Sequence, residues 1–317
     1  MASMPGLNGE AGSVQEDAAR SEVARISARL KERLLSRLRE PMTLETSIDG
    51  LVLSRREDVN CSGCAFHKPT AGLIVQGAKC TVVGQTEYCY RENQFIVAGM
   101  ELPCTLYVQQ TRPEKPFLSI GLRLDSYLLS QLAAEVPPGP ESDQNLACVA
   151  TGDASPQLMD AFLRLVCLLD RPEQIPVLAP LAVREIHYLL LTGPCGESLR
   201  RINTHGTRSH QIAQAVAWLR GHYASPLKVE DLARGVNMAL STFHRHFKSV
   251  TGMSPLQYHK CLRLHEAQRL MVVGGESASR AASLVGYESE AQFNREYKRL
   301  FGSPPSRDAR EKTGRLK

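Results

Sequence analysis

Two histidines stand one residue apart in the stretch STFHRHFKS, which runs from Ser241 to Ser249. Imidazole nitrogens are common metal ligands, so His244 and His246 first suggest chelation. On a helix, however, residues two apart point about 200° apart, so these two cannot converge on one ion as a pair spaced i, i+4 could. The neighbouring Arg245 and Lys248 carry the cationic groups that bind base edges and phosphates, which favours contact with a nucleic acid.

A second group of reactive side chains lies in NCSGCAFH, where Cys61, Cys64 and His67 form a C-x2-C with a nearby histidine. A zinc site normally shows a second ligand pair at readable spacing, and none follows here. We expect this stretch to be a loop, on which Cys61 and Cys64 are a candidate pair for sensing oxidants or electrophiles. Ordinary surface or core cysteines are the alternative.

The remaining histidines and cysteines argue against catalysis. Metal-dependent β-sandwich enzymes need several histidines and a carboxylate, but only His67, His187 and His205 precede residue 208. Nine cysteines, an odd number over 317 residues, are not typical of a secreted disulfide framework. We therefore expect no metal, no cofactor and no enzymatic activity.

Charge is distributed unevenly along the chain. Residues 208–317 contain 18 Lys and Arg against 9 Asp and Glu, whereas residues 1–207 contain 20 against 24. A basic C-terminal third is typical of a domain that meets a polyanion. The sequence shows no apolar run of about 18 residues and no signal peptide, so we expect a cytoplasmic protein with no membrane partner.

The pattern of apolar residues divides the chain into three parts. Residues 1–45 read as a leader, partly disordered and then a solvated helix; residues 46–200 show short β-rich runs followed by helices; residues 208–317 read as all helical. The spacing of the β-rich runs predicts a β-sandwich or barrel, and ESLRRINTHGTRSH reads as a polar linker. The fold class is therefore α+β, with a sandwich domain before a helical domain.

An internal repeat at an offset of 50 residues organises the helical part. FHRHFKSVTGMSP, from Phe243, aligns with FNREYKRLFGSPP, from Phe293, and a short helical run with a turn precedes each copy. Each unit reads as helix, tight turn and helix, closed by a glycine cap at Gly252 or Gly302. We call the second helix of each unit its recognition helix.

Helical spacing separates two faces on each recognition helix. We expect the inward faces to comprise Leu240, Phe243, Phe247 and Val250 in the first unit and Phe293, Tyr297 and Leu300 in the second. We expect the outward faces to comprise Ser241, Arg245, Lys248 and Ser249, and Ala291, Arg295 and Lys298. The long helix SPLQYHKCLRLHEAQRLMVV would hold the units apart, and a separation of about 34 Å would suit successive major grooves.

Residues 210–312 resemble the DNA-binding domain of the AraC/XylS transcription regulators. The resemblance rests on LARGVNMALSTFHRHFKSVTGMSP, YHKCLRLHEAQRLM and ASLVGYESEAQFNREYKRLFGSPP. It departs in the second unit, where Ala278 and Ala281 occupy positions that the family usually fills with larger aliphatics. Residues 51–201 resemble, more diffusely and through GLIVQGAKCTVVGQTEYCYRENQFIVAG, FLSIGLRLD and REIHYLLLTGPCG, the cupin-like N-terminal domain of one subgroup of these regulators. In the family this domain senses an effector and often dimerises.

The resemblance implies roles for the outward side chains. Base contacts fall on Ser241, His244, Arg245, Gln292, Asn294 and Arg295. Phosphate contacts fall on Thr242, Lys248, Lys298 and Arg299. It also implies double-stranded promoter DNA and RNA polymerase as partners, an unidentified small-molecule effector and a homodimer.

Two other functions compete with transcriptional regulation. A DNA alkylation-repair protein would combine such helices with a zinc-bound methyl-acceptor cysteine, but it needs four metal-spaced thiols, and only Cys61 and Cys64 fit. A protein that merely adheres to nucleic acid would show a steep salt dependence without sequence preference. The duplicated recognition helices argue against that second alternative.

Overall fold

The computed structural model describes residues 8–58, 64–109, 111–136 and 147–316. Its ten strands are β1 Met42–Glu45, β2 Leu51–Arg56, β3 Cys64–His67, β4 Thr70–Gln76, β5 Ala78–Val83, β6 Thr86–Arg91, β7 Gln94–Ala98, β8 Leu102–Gln109, β9 Phe117–Arg123 and β10 Val149–Asp153. Its α-helices are α1 Asn8–Arg37, α2 Ser126–Glu135, α3 Pro156–Cys167, α4 Ile175–Thr192, α5 Gly196–Asn203, α6 Arg208–Gly221, α7 Val229–Gly235, α8 Leu240–Thr251, α9 Pro255–Val272, α10 Ala278–Leu284, α11 Glu290–Phe301 and α12 Pro305–Leu316.

The strands form a sandwich of two antiparallel sheets, as the sequence predicts. Six strands in the order β1-β2-β9-β4-β7-β10 make one sheet, and four in the order β3-β8-β5-β6 make the other. Side chains alternate between the faces of the larger sheet, so that Leu73 packs towards helices and Ile74 towards the smaller sheet. The larger sheet is thus buried on both faces, with helices covering one of them.

Three strands escaped prediction from the sequence. β1, β3 and β10 are only four or five residues long, and β1 is largely exposed. Short edge strands carry too few alternating positions to be recognised by periodicity. Each of the three lies at the edge of its sheet.

The prediction of a solvated leader helix is wrong. Helix α1 buries Ile26, Leu30 and Leu34 almost completely, Leu38 directly after its end is buried as well, and the helix packs against α3. These residues recur every four positions and form one apolar stripe, which the many charged residues of the segment obscure. The first helix is therefore part of the core of the sandwich domain.

The segment predicted as a polar linker contains helix α5. Leu199 and Ile202 are buried on one side of this short helix, while Arg200 and Arg201 stand in its last turn.

Sequence reasoning also missed that Pro172–Thr192 is long and apolar enough to cross a membrane. Core helices of soluble proteins have the same length and composition, and a third of the most apolar 18 residues of this segment is buried within the protein.

The helical C-terminal part shares a hydrophobic core with the smaller sheet. Ile212 and Val216 of α6 and Tyr258 of α9 belong to the same buried cluster as Leu102 and Val149 of the sandwich. The ring of Phe66 in β3 makes an edge contact with the ring of Tyr258, with centroids 5.6 Å apart. The first helix-turn-helix unit is thus packed directly on the sheet.

Glu101 makes two polar interactions at this contact. Its carboxylate pairs with the Arg220 guanidinium, and its main-chain carbonyl accepts a hydrogen bond of 2.9 Å from the Tyr258 hydroxyl. Burial raises the pKa of the Glu101 carboxyl, while Arg220 acts in the opposite direction. The apolar contact between the two parts is therefore supplemented by a hydrogen-bonded ion pair.

Three histidines near this contact are held neutral. Burial lowers the pKa of His67 in β3 and of His259 and His265 in α9 to about 4 in each case. The His265 ring lies between the rings of Phe66 and Phe301, at 5.1 and 5.0 Å. Nearby Lys79, Arg263 and Lys312 further disfavour protonation of these rings.

Acid should therefore destabilise the protein as these histidines take up protons in the unfolded chain. The folded pKa values lie below the ordinary value of about 6.5, so the unfolded chain binds protons more tightly and stability falls as pH drops from about 6.5 towards 4. We expect His265→Phe, which keeps a ring between Phe66 and Phe301, to reduce this loss. Thermal unfolding midpoints measured across that range test the expectation, and an equally steep decline in the variant would contradict it.

Candidate nucleic-acid interface

Helix α8 is fixed by aromatic side chains on its inward face. Phe243 and Phe247 are fully buried and Val250 nearly so, and the two phenyl rings lie 5.4 Å apart. Phe247 also makes an edge contact with Tyr258 of α9, with centroids 5.7 Å apart. Rigid rings packed on both sides set the rotation of α8 about its own axis and so determine which residues face outward.

The side chains that the sequence assigns to DNA lie on the opposite face of α8. Ser241, His244, Arg245 and Lys248 are exposed, and Thr242 is half-buried. Neither Arg245 nor Lys248 forms an ion pair with any residue that the structure describes. A row of exposed cations and hydroxyls on one helix face matches the chemistry of phosphates and base edges.

Two details of this helix differ from the predicted faces. Leu240, predicted inward, is 39% exposed because it is the first residue of the helix and lies beyond the core. His246, which belongs to neither predicted face, is buried, and its Nε2 lies 3.5 Å from the Arg208 guanidinium. His244 and His246 therefore face different environments, so they cannot share an ion.

Helix α11 repeats this arrangement in the second unit. Phe293 and Tyr297 are fully buried, Leu300 is partly buried, and Ala291, Arg295 and Lys298 are exposed as predicted. Gln292, Asn294 and Arg299 are also exposed, and the Gln292 amide donates to the Glu296 carboxylate at 3.3 Å. The structure thus gives both recognition helices the same buried aromatic pair and the same solvent-facing arginine.

Both recognition helices end as the repeat predicts. Gly252 and Gly302 take the left-handed conformation, with φ values of 74° and 80°, and their amides donate to the carbonyls of Lys248 and Lys298. Ser254 then begins α9 with a capping box completed by Gln257. The 18 residues of α9 give a rigid connector about 27 Å long at 1.5 Å per residue.

The second unit has its own small core. Ala281 and Ala282 of α10 are fully buried beside Ala267 and Val285, and a series of ring contacts runs through Phe293, Tyr297 and Phe301. Aromatic side chains thus fill the space beside the small residues of α10. This explains how the unit closes although alanines occupy positions that the family usually fills with larger aliphatics.

Asp308 of α12 is the polar anchor of α11. Its Oδ2 accepts hydrogen bonds from the Tyr297 hydroxyl at 2.7 Å and the Gln268 amide at 2.6 Å, and Lys312 lies 3.5 Å away. The carboxylate is buried, so it ties the connector α9, the recognition helix α11 and α12 to one point. Sequence reasoning missed this residue because it lies outside the repeated motif.

The described cysteines include a bonded pair that the sequence did not predict. Cys61 lies outside the described residues. Cys64 begins β3, but the structure does not describe its side chain, so the sensing role of the two cysteines stays a prediction. Cys80 of β5 and Cys89 of β6 are joined by a disulfide that sequence reasoning missed. With Glu87 they place three potential metal ligands within 4.8 Å of one another, but both sulfurs are already bonded to each other.

Two protein families match this chain. The AraC-type transcriptional regulator N-terminus family matches residues 47–198, and a helix-turn-helix domain family matches residues 232–311. Together these matches cover most of the chain, and the second includes both recognition helices. The chain belongs to the AraC family of transcriptional regulators.

Individual relatives agree with the family assignment. The chain is 30% identical to the regulator ExsA of Pseudomonas aeruginosa over 140 residues, which are 44% of this chain and half the length of ExsA. It is 29% identical to the virulence regulon activator VirF of Yersinia enterocolitica over 225 residues, 70% of this chain and 79% of VirF. The structure of an apo ToxT variant from Vibrio cholerae superposes with a TM-score of 0.55, covering 84% of this chain and 98% of that chain. At 12% identity, this last likeness shows the fold alone.

Removing the Asp308 carboxylate should loosen the second unit. Asp308→Ala leaves the buried Tyr297 hydroxyl and Gln268 amide without their acceptor, so we expect a loss of about 2 to 3 kcal/mol in the free energy of unfolding. Asp308→Asn keeps one acceptor oxygen and should lose less. Denaturant unfolding of both variants tests this expectation, and equal stability of Asp308→Ala and the unmodified protein would contradict it.

Proposed function

We propose that this protein is a sequence-specific DNA-binding transcriptional regulator that uses α8 and α11 as paired recognition helices. The observation that carries the proposal is the repeated exposed arginine, Arg245 and Arg295. An equivalent pair of buried aromatic residues holds it outward in each unit. An arginine fork matches the O6 and N7 acceptors of guanine in the major groove. The rigid connector α9 supports binding to one face of the duplex.

The proposed roles divide between reading and positioning. Ser241, His244 and Arg245 of the first unit read bases, as do Gln292, Asn294 and Arg295 of the second. Phosphate contacts, which fix the register of the protein on the duplex, fall on Thr242, Lys248, Lys298 and Arg299. Apart from Thr242, which is half-buried, these residues are exposed, and this supports the assignment because each can reach a ligand without rearrangement of the core.

Arg245→Ala should reduce the affinity for the preferred DNA sequence and relax the base preference. Loss of a bidentate base contact costs about 1 to 3 kcal/mol of binding free energy at the affected position. Lys248→Ala should instead weaken binding to all sequences alike and lower the slope of log affinity against log salt concentration by about one. The measurement is a selection from a random duplex library, followed by fluorescence anisotropy with the recovered duplex across a salt series.

Arg269→Ala is the matched control, because Arg269 is an exposed arginine on the connector that pairs with Glu266. We expect its affinity and base preference to equal those of the unmodified protein. If Arg245→Ala binds the selected duplex as tightly as this control, Arg245 does not read bases. If the selection recovers no preferred sequence, the protein is not a sequence-specific binder.

We propose further that the sandwich domain receives the regulatory signal, a small-molecule effector or a redox or electrophile signal. Effector binding would change dimer geometry or release the DNA-binding part. The shared core of the two parts supports such a link, because Tyr258 of the connector α9 packs against Phe66 and Glu101 of the sandwich domain. Contact with RNA polymerase, which the family resemblance implies, belongs to the same proposal.

A homodimer through α4 is part of this proposal. Val177 and Leu181 on α4 are 67% and 61% exposed, and Tyr188 further along the helix is half exposed. Leu178 and Leu181 also line an open groove of about 770 Å³ between α1, α3 and α4. An exposed apolar stripe beside a groove is typical of an interaction surface, and a second copy presents the same stripe.

Leu181→Asp should prevent self-association, because it places a charge in the middle of the apolar stripe. Val273→Asp is the matched control, since Val273 is 72% exposed but lies after α9, away from α4. Light scattering after size-exclusion chromatography measures the mass. A dimer that survives Leu181→Asp as well as the control would exclude α4 as its interface.

The alkylation-repair alternative receives no support. Within the part of the chain that the structure describes, the one group of three or more potential metal ligands is the disulfide-bonded pair with Glu87. The matched relatives are named as transcriptional regulators. We therefore propose a cytoplasmic regulator without catalytic activity or membrane attachment.

A further inference from the structure

The disulfide between Cys80 and Cys89 joins adjacent strands of the hairpin β5–β6. The two residues are directly opposite each other in the register, with Cα atoms 4.1 Å apart. Opposed residues of antiparallel strands point to the same face, so their thiols meet without movement of the backbone. Strand β6 is the edge of its sheet, and Cys89 is exposed whereas Cys80 is fully buried. A reagent in solution can therefore reach this bond at the sulfur of Cys89.

The other cysteines are placed less favourably for redox chemistry. Cys104 and Cys148 are buried, and burial raises the pKa of the Cys148 thiol to about 12 and that of Cys195 above its ordinary value. The thiolate is the reactive form of cysteine, so a raised pKa suppresses reaction. Among the cysteine side chains that the structure describes, Cys80 and Cys89 form the bonded pair, and Cys89 is the member of that pair that is exposed to solvent.

The tip of the same hairpin touches the end of the first recognition helix. Gly84 at the tip has φ +62°, and a methyl group added to its Cα would lie 2.3 Å from the carbonyl oxygen of Gly252. Gly252 is the residue that ends α8. The two backbones are thus in direct contact, and neither position has room for a larger side chain without a shift.

Neighbouring groups extend this contact. Residues 85, 86 and 88 of the hairpin and residues 248–252 line a cavity of about 210 Å³ between the hairpin and α8. The main-chain amide of Cys148, just before β10, donates to the Val250 carbonyl at 3.1 Å. The last turn of α8, which carries Lys248, is therefore held against the sandwich domain on two sides.

We propose that the Cys80–Cys89 pair is a redox-sensitive site that controls the position of α8 and, through it, the affinity for DNA. The inference rests on the proposed DNA-binding function. The disulfide lies four residues from the tip and fixes the hairpin in the shape that meets Gly252. Reduction loosens the hairpin, so α8 can move relative to the sandwich domain. Helices α8 and α11 can then enter successive major grooves of the DNA together. The reduced protein binds DNA more tightly.

The exchange reaction balances with ordinary thiols. A thiolate attacks the Cys89 sulfur, forms a mixed disulfide with it and releases Cys80 as a thiolate, which takes up a proton. A second thiolate then attacks the sulfur of the first thiol, releases Cys89 as a thiolate and leaves with the first thiol as a disulfide. The two thiols thus supply the two electrons. In the reverse direction a peroxide oxidises Cys89 to the sulfenic acid with loss of water, and Cys80 displaces a second water to close the bond. In a reducing compartment, such bonds are usually transient or redox-sensing.

The test compares the full-length protein in dithiothreitol with the same protein after oxidation by hydrogen peroxide. Peptide mapping after alkylation reports whether Cys80 and Cys89 are thiols or a disulfide. Hydrogen–deuterium exchange reports the protection of residues 248–252, and anisotropy with the duplex recovered by selection reports affinity. We expect faster exchange at residues 248–252 and about fivefold tighter binding in the reduced protein, at the lower end of typical coupling between two sites.

Matched variants separate this site from the other cysteines. Cys80→Ser with Cys89→Ser should show the exchange pattern of the reduced protein under both conditions, whereas Cys167→Ser, a half-buried free cysteine in α3, should respond like the unmodified protein. Gly84→Ala leaves both thiols in place but forces the tip away from Gly252. It should expose residues 248–252 to exchange in both redox states.

Three results would overturn the proposal. The first is that Cys80 and Cys89 stay reduced in peroxide, and the second is that residues 248–252 exchange equally in both states. The third is that exchange changes but the affinity for the selected duplex does not. A failure of the DNA-binding function itself would appear differently, as an absence of any selected sequence in either redox state, and the exchange data would still decide the coupling between hairpin and helix.

Discussion

The burial of two aromatic rings on each recognition helix is the constraint on which the rest of the structure depends. Phe243 and Phe247 fix the rotation of α8, and Phe293 and Tyr297 fix that of α11. Because the rings cannot leave the core without a large loss of apolar burial, the residues on the opposite face must stay in solvent. Arg245 and Arg295 are therefore presented outward as a consequence of packing, and the glycine caps and the connector α9 only place the two helices relative to each other.

The two recognition helices differ in what lies behind them. The first packs on Tyr258, whose hydroxyl and ring reach Glu101 and Phe66 of the sandwich domain. The second packs against a separate core around Asp308 and Tyr297, and no residue from the described part of the sandwich belongs to that core. A signal that alters the smaller sheet would therefore act first on α8, and the response of α11 would depend on the rigidity of α9. This asymmetry gives a physical path from the sandwich domain to one of the two recognition helices.

Much of this arrangement could be predicted from the sequence, and the exceptions have physical causes. The 50-residue repeat identified both helix-turn-helix units and their outward residues, because identical spacing of aromatic and basic residues fixes identical faces. The sandwich followed from the short β-rich runs. The burial of α1 was missed because charged residues hide the stripe formed by Ile26, Leu30, Leu34 and Leu38, and α5 was missed because it is too short to show periodicity. The bond between Cys80 and Cys89, and the contact of Gly84 with Gly252, depend on strand register and on the meeting of two domains, which the local sequence does not encode.

The central claim is that two rigidly joined helices read DNA from one face. It is tested most directly by chemical footprinting of the major groove on the duplex recovered by selection, with the unmodified protein, Arg245→Ala and Arg295→Ala. We expect two protected segments about 10 base pairs apart, centre to centre, on one face of the duplex, with each variant losing the protection of a different segment. A single protected segment, or two segments that both variants leave unchanged, would contradict the account.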